Sequence, residues 1–130
     1  MFKQRYLDAS YAVAMSSAGV GGKSRCNHKI GSILVINNRI ISAVNSYKTS
    51  PRLVQFYEYP HFHAEAKCIF RVGLDECQRH RSGTLYVTRI RKDGSLGSAK
   101  PCEECQNLIE FARIKRVIYS NDNGGYESLS

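Results

Sequence analysis

The segment GSILVINNRIISAV, residues 31–44, does most to limit the folds open to this chain. Two runs rich in branched apolar residues flank Asn37-Asn38. Asparagine tolerates the positive φ of a tight hairpin turn, so the segment predicts strand, turn, strand. Before it, Phe2, Tyr6, Ala9 and Val13 recur near helical spacing, predicting a helix from Phe2 to about Ala18 that the glycines of GVGGKSRCNHK end. After it comes a long connection with two prolines, residues 45–62, and loops of that length are often functional. A helix is predicted to start near His63 and end by Gly73, with Cys68, Ile69 and Val72 on its buried stripe. TLYVT is a third strand and RVIY a fourth; between them lie a polar loop turning at Asp93-Gly94 and a helix starting near Cys102. In that helix Cys105, Leu108, Ile109 and Ala112 fall on one face. The tail SNDNGGYESLS holds one short edge strand or none. This order predicts an α/β layer on a mixed sheet, with an antiparallel hairpin and later strands made parallel by helical crossovers.

A chain of 130 residues is long enough for one domain, residues 1–130, with its own core. No apolar run approaches the roughly 18 residues of a membrane span, and the amphipathic start MFKQRYLDASYAVAM lacks a signal-peptide core. The expectation is a cytoplasmic protein with no membrane partner. Five cysteines without a secretion signal argue against a disulfide framework and for metal binding or plain burial. The net charge of +8 favours phosphate-bearing partners, from nucleotides to nucleic acid, although a solvated basic surface carries the same charge.

The stretch PHFHAEAKCIF crowds histidines, a glutamate and a cysteine into the start of an apolar helix. Its counterpart is KPCEEC, residues 100–105. Cys102 and Cys105 are close enough in sequence for both thiolates to reach one ion from a helix's first turn, where Pro101 suits a helix start and the helix dipole favours thiolate. His63 is the candidate third ligand, and three protein ligands with one open position describe a catalytic zinc. Glu65 does not share a helical face with His63, so it is cast as a base beside the metal. Two blander readings compete. One is a structural zinc completed by Cys68, Cys26 or His61, which leaves Glu65 and Pro101 unexplained. The other is a redox dithiol, disfavoured by the two acidic residues between the thiols. Cys68 and Cys77 read as buried bystanders, His61 as a loop residue, and His28 and His80 have no motif support. Asn45 reads equally well as a strand-end asparagine and as a substrate contact. Phe56, Tyr57, Tyr59 and Phe62 could stack a base or simply pack the loop down. Arg89, Arg91, Lys92 and Lys100 could hold phosphate or remain solvated.

His63-Ala64-Glu65 followed by Pro101-Cys102-x-x-Cys105 matches the signature of zinc-dependent base deaminases. On it the chain resembles the cytidine/deoxycytidylate deaminase superfamily, on the branch with a histidine ligand. The likeness extends in order through the strand pair, VNSYKTSP, HFHAEA, LYVTRIRKDGSLGSAKPCEEC and RIKRVIYSNDNGGY, roughly residues 29–126. It implies a cytidine deaminase-like three-layer α/β/α fold with a mixed sheet of four to five strands, and zinc at the N-termini of two adjacent helices. The chain stops soon after the fourth strand, so the fifth strand and final helix of several relatives are expected to be missing or reduced. The resemblance also implies a reaction: hydrolytic deamination of a cytosine nucleotide or nucleoside to the uracil product, with release of ammonia. Glu65 is then the proton carrier, His63, Cys102 and Cys105 hold zinc, and Ala64 and Asn45 orient the substrate. The competing functions are a deaminase of cytosine or adenine in single-stranded DNA or RNA, and a non-enzymatic zinc-stabilised nucleotide-binding module. Relatives assemble as homo-oligomers, and the same is expected here.

Overall fold

The computed structural model describes residues 3–16, 29–45 and 64–129. Its first element is helix α1 (Gln4–Met15), in which Leu7, Ser10 and Ala14 are buried. The expected stripe of Tyr6, Ala9 and Val13 is also on the packed side, but only partly buried. Strands β1 (Lys29–Ile36) and β2 (Arg39–Val44) form the expected hairpin. Ile36 pairs with Arg39, and Asn37 and Asn38 have φ of 49° and 62°, the left-handed pair that a two-residue turn needs.

Helices α2 (Ala64–Val72) and α3 (Leu74–His80) lead to β3 (Thr84–Ile90). A short β4 (Leu96–Gly97) folds back on β3, α4 (Glu103–Phe111) follows, and β5 (Arg116–Ser120) and β6 (Tyr126–Leu129) end the described chain. The sheet order is β2-β1-β3-β5-β6, with β4 added to the end of β3. β1 lies antiparallel to both β2 and β3, so those two point the same way. β3 and β5 pair in parallel across α4, as the helical crossover requires.

Alternation along the strands builds two cores. Leu34, Leu85, Val87 and Val117 face α2 and α4, joining Ile69, Cys105, Leu108 and Ile109. Ile33, Tyr86 and Ile118 face the other way and meet Leu7 of α1. The fold is thus the three-layer α/β/α arrangement expected. Each fully buried residue such as Ile69, Leu85 or Leu108 contributes roughly 1.5–3 kcal/mol by leaving water. A hydroxyl chain ties the α1 layer down: Ser10 Oγ lies 2.6 Å from Thr88 Oγ1, which lies 2.8 Å from the Tyr126 hydroxyl.

Two elements, α3 and β4, were not in the sequence reading, and the tail takes one of the two forms it allowed. The helix after Gly73 was not expected; Gly73, at φ 103°, breaks the run, and a second helix starts directly behind it with Cys77 as its buried residue. The loop at Asp93-Gly94 is the tip of a hairpin closed by β4, with Asp93 accepting from the Ser95 backbone N–H and hydroxyl. The tail does form an edge strand. Asn121 Oδ1 accepts from the backbone N–H groups of Asn123 and Gly125, and Gly124 takes φ 84°, turning β6 back onto β5. Among the described residues the sheet therefore has six strands, against the four to five expected.

Candidate active site

Both crossover helices on one face begin at the same edge of the sheet. β2 and β3 run in the same direction, and α2 and α4 each return from a strand's carboxyl end. In open α/β sheets that edge is where ligands bind. The topology brings Asn45, Ala64, Glu65, Cys102 and Cys105 there from three separate segments. His63, residues 46–62 with their aromatic cluster, Cys26 and His28 lie outside the described residues.

Cys102 is the N-cap of α4, with extended backbone at φ −67° and ψ 170°. Its Sγ accepts from the Cys105 N–H at 3.4 Å, and its carbonyl accepts the first helical bond from Gln106 N at 2.8 Å. Caps are usually hydroxyls or carboxylates; here a sulfur takes that place, and a donated N–H favours its thiolate form. Pro101 stands directly before the cap, and its carbonyl accepts from Gln106 Nε2 at 2.8 Å. Cys105 is fully buried one turn on, whereas Cys102 is half-buried. Cys68 and Cys77 are different in kind. Burial pushes each thiol up to about 11, and Cys68 Sγ is engaged by Ser32 and by the Ile41 carbonyl at 3.4 Å. No disulfide forms among the described cysteines.

Ala64 and Glu65 open α2, and both are buried, Glu65 to 6% exposure. A carboxylate is rarely buried without a purpose, because desolvation costs several kcal/mol unless partners offset it. Asn45 sits at the carboxyl end of β2. Its N–H donates to the Ile30 carbonyl at 3.1 Å, and its Oδ1 accepts from Ile30 N–H at 3.2 Å. That second bond fixes the orientation of the amide.

The basic group near this edge is partly spoken for. Arg91 pairs with Asp122 and donates to Ser95 Oγ at 3.3 Å, while Lys92 and Lys100 are exposed. An open groove of about 420 Å³ lined by Gln78, Asn107, Glu110, Phe111 and Arg113 lies at the opposite end of α4 from the thiols.

A model of the cytidine and deoxycytidylate deaminase zinc-binding region matches residues 3–121. The chain belongs to that deaminase family. Among solved structures it is similar to a cytidine deaminase from Burkholderia pseudomallei, at 21% identity and a TM-score of 0.59, covering 100% of this chain and 93% of that one. That likeness supports the fold. No curated protein sequence gives a significant match. Among the described residues no three His, Cys, Asp or Glu side chains form a group that could hold a metal, since the third expected ligand, His63, is not one of them. The donors that are described fit zinc: two thiols on one helical turn, one receiving a backbone N–H. No helix among the described residues is long and apolar enough to cross a membrane.

The sequence reading overlooked Ser120 and Asp122. Both reach back from the end of β5 to the segment that leads into Cys102. Their signal is three-dimensional, since it depends on where β3 parts from β5.

Proposed function

We propose that this family member is a zinc-dependent hydrolytic deaminase that converts a cytosine nucleotide or nucleoside to its uracil product. The observation that carries the reading is the buried Glu65 on the first turn of α2, at the same sheet edge as the Cys102–Cys105 turn of α4. Zinc held by His63, Cys102 and Cys105 would supply the Lewis acidity that makes water a competent nucleophile at neutral pH. Glu65 takes one proton from water and passes it to the ring nitrogen, then takes the remaining proton of the added hydroxyl and gives it to the departing amine. Water's oxygen bonds to the amidine carbon as the carbon–nitrogen bond breaks, so water and the aminated base yield the keto base and ammonia. The Ala64 N–H and Asn45 Nδ2 orient the base and its sugar. The 6% exposure of Glu65 keeps bulk water from competing for its proton. We place the protein in the cytosol as a homo-oligomer.

One feature favours a polynucleotide substrate instead, the net charge of +8. Against it, Arg91, one of the four cations near the site, is already paired with Asp122. The test is ammonia release from cytosine, cytidine, cytidylate, deoxycytidylate and a cytosine-containing single strand, each at two salt concentrations. Turnover of a monomer, little changed by salt, is the expected result. Faster, salt-sensitive deamination of the strand would establish the polynucleotide reading by its counterion signature. Zinc-loaded protein that releases ammonia from none of them would leave only a binding module.

A further inference from the structure

β3 pairs with β5 as far as Val87–Tyr119, and two residues later with β4 at Arg89–Gly97. A fork in a sheet leaves backbone groups without ladder partners, and buried groups of that kind need another partner. At this fork stands Ser120, fully buried. Its hydroxyl accepts from Arg89 N–H at 3.0 Å and donates to the Gly97 carbonyl at 2.7 Å, using both of its capacities. Its own carbonyl accepts from Ala99 N–H at 2.9 Å. Two residues further, Asp122 Oδ1 accepts from Ser98 N–H at 3.0 Å and pairs with the Arg91 guanidinium.

Gly97, Ser98 and Ala99 are thus each held by the end of β5. The opposite side of Gly97 is closed as well: a Cβ there would meet Arg91 Cγ at 3.1 Å and Arg89 Cδ at 3.4 Å, so the two arginine stems lie across it. Cys102 follows Ala99 by three residues, one of which is Pro101 with its fixed φ. So short a tether transmits the position of its anchor to the sulfur.

On the reading that Cys102 and Cys105 hold zinc, we infer that Ser120 and Asp122 are positioning residues that set the placement of this thiol pair. Metal–ligand distances tolerate errors of only about 0.2 Å, which a loosely held loop does not meet. Residues that orient ligands from behind typically govern metal affinity by about 10- to 100-fold. Asp122 is the cleaner probe because its side chain is 64% exposed and its removal leaves the core intact.

The experiment measures zinc affinity by competition with a chromogenic chelator, the thiolate-to-metal absorption of the cobalt-substituted protein, and the melting temperature of the metal-free protein. It does so for wild type, Asp122→Ala, Asp122→Asn and Ser120→Ala. Asp122→Ala should bind zinc at least roughly tenfold more weakly and shift the cobalt bands, with the metal-free melting temperature little changed. Asp122→Asn keeps the acceptor for Ser98 N–H and should recover most of the affinity. Ser120→Ala should weaken binding further. Wild type that binds zinc tightly, with both alanine variants within twofold of it, overturns this inference alone. Wild type that binds no zinc overturns the metal reading and this inference together.

Discussion

Replacing Gly31 with alanine adds one methyl group where β1 meets α1. That methyl would stand 2.7 Å from both Ala14 Cα and Val13 C, and closer still to Ala14 N. Carbon atoms in contact settle near 3.5–4 Å, so one element must move by about an ångström. The obstructing atoms are helix backbone, which no rotamer change relieves. Two effects oppose each other. Gly31 is not among the glycines with positive φ, so alanine would gain about 0.5–1 kcal/mol from reduced unfolded-state entropy if the space were empty. Overpacking against backbone costs about 3 kcal/mol. Lifting α1 also strains the Ser10–Thr88 bond, worth about 1 kcal/mol. The net is a destabilisation of about 3 kcal/mol, or a fall in melting temperature of roughly 10 °C for a chain of this size. Thermal unfolding followed by circular dichroism reads this directly, and the near-ultraviolet signal reports the Tyr6–Tyr86 ring pair at 5.4 Å on the same face. Because α1 and the candidate site lie on opposite faces of the sheet, the folded variant should still bind zinc at low temperature. A Gly31→Ala protein melting within about 2 °C of wild type, or above it, would refute the close approach of α1 and β1 on which the reasoning rests.

Other outcomes follow from the same geometry. In native metal-free protein at pH 8, alkylation mapped by mass spectrometry should label Cys102 first. Cys68 and Cys77, with pKa values near 11, stay unmodified because only about one thiol in a thousand is ionised there. Asn45→Asp keeps the acceptor for Ile30 N–H but removes the Nδ2 donor. It should melt normally and lose roughly 5- to 150-fold in kcat/KM, equivalent to about 1–3 kcal/mol; an early melt with intact kinetics would mean Asn45 serves only the strand end. The hydrogen bond from Arg91, and then that from Ser98 N–H, hold the Asp122 carboxyl below its ordinary 3.8. A folded pKa lowered in this way gives stability that is complete above pH 3.8 and lost as pH falls through the folded value. At so exposed a side chain that contribution is small, so the readout is the carboxyl's own acid titration followed by NMR. Its midpoint should lie below 3.8 in wild type and move back toward 3.8 in Arg91→Gln, and a midpoint that Arg91→Gln leaves unchanged would contradict the pairing.

The features legible in the sequence were those set by local chemistry. Asn37-Asn38 announced its turn because few other residues accept two consecutive positive φ angles. The spacing of Cys105, Leu108, Ile109 and Ala112 announced α4, and all four are buried. What escaped had weak local signals. LDECQRH has one buried residue and no apolar stripe, so α3 does not stand out from a loop. YESL is a polar edge strand, brought into pairing by the Asn121–Gly125 turn rather than by its own pattern. Ser120 reads as an ordinary strand-end serine until β3 and β5 are seen to part beside it. Within the candidate site, Glu65 and the cysteines were legible because their residue types are rare at the start of an apolar helix. Residues 46–62, which lie outside the described residues, carry no comparable pattern.

The central claim is that Glu65 moves the protons of a hydrolytic deamination. Its most direct test is ammonia release from a cytosine nucleotide by wild type and by Glu65→Gln, with the zinc content of both measured on the same samples. The amide has nearly the shape of the carboxylate but cannot accept the proton, so the account predicts equal zinc and a loss of turnover by at least about 100-fold. A Glu65→Gln protein that carries its zinc and releases ammonia at the wild-type rate would contradict it.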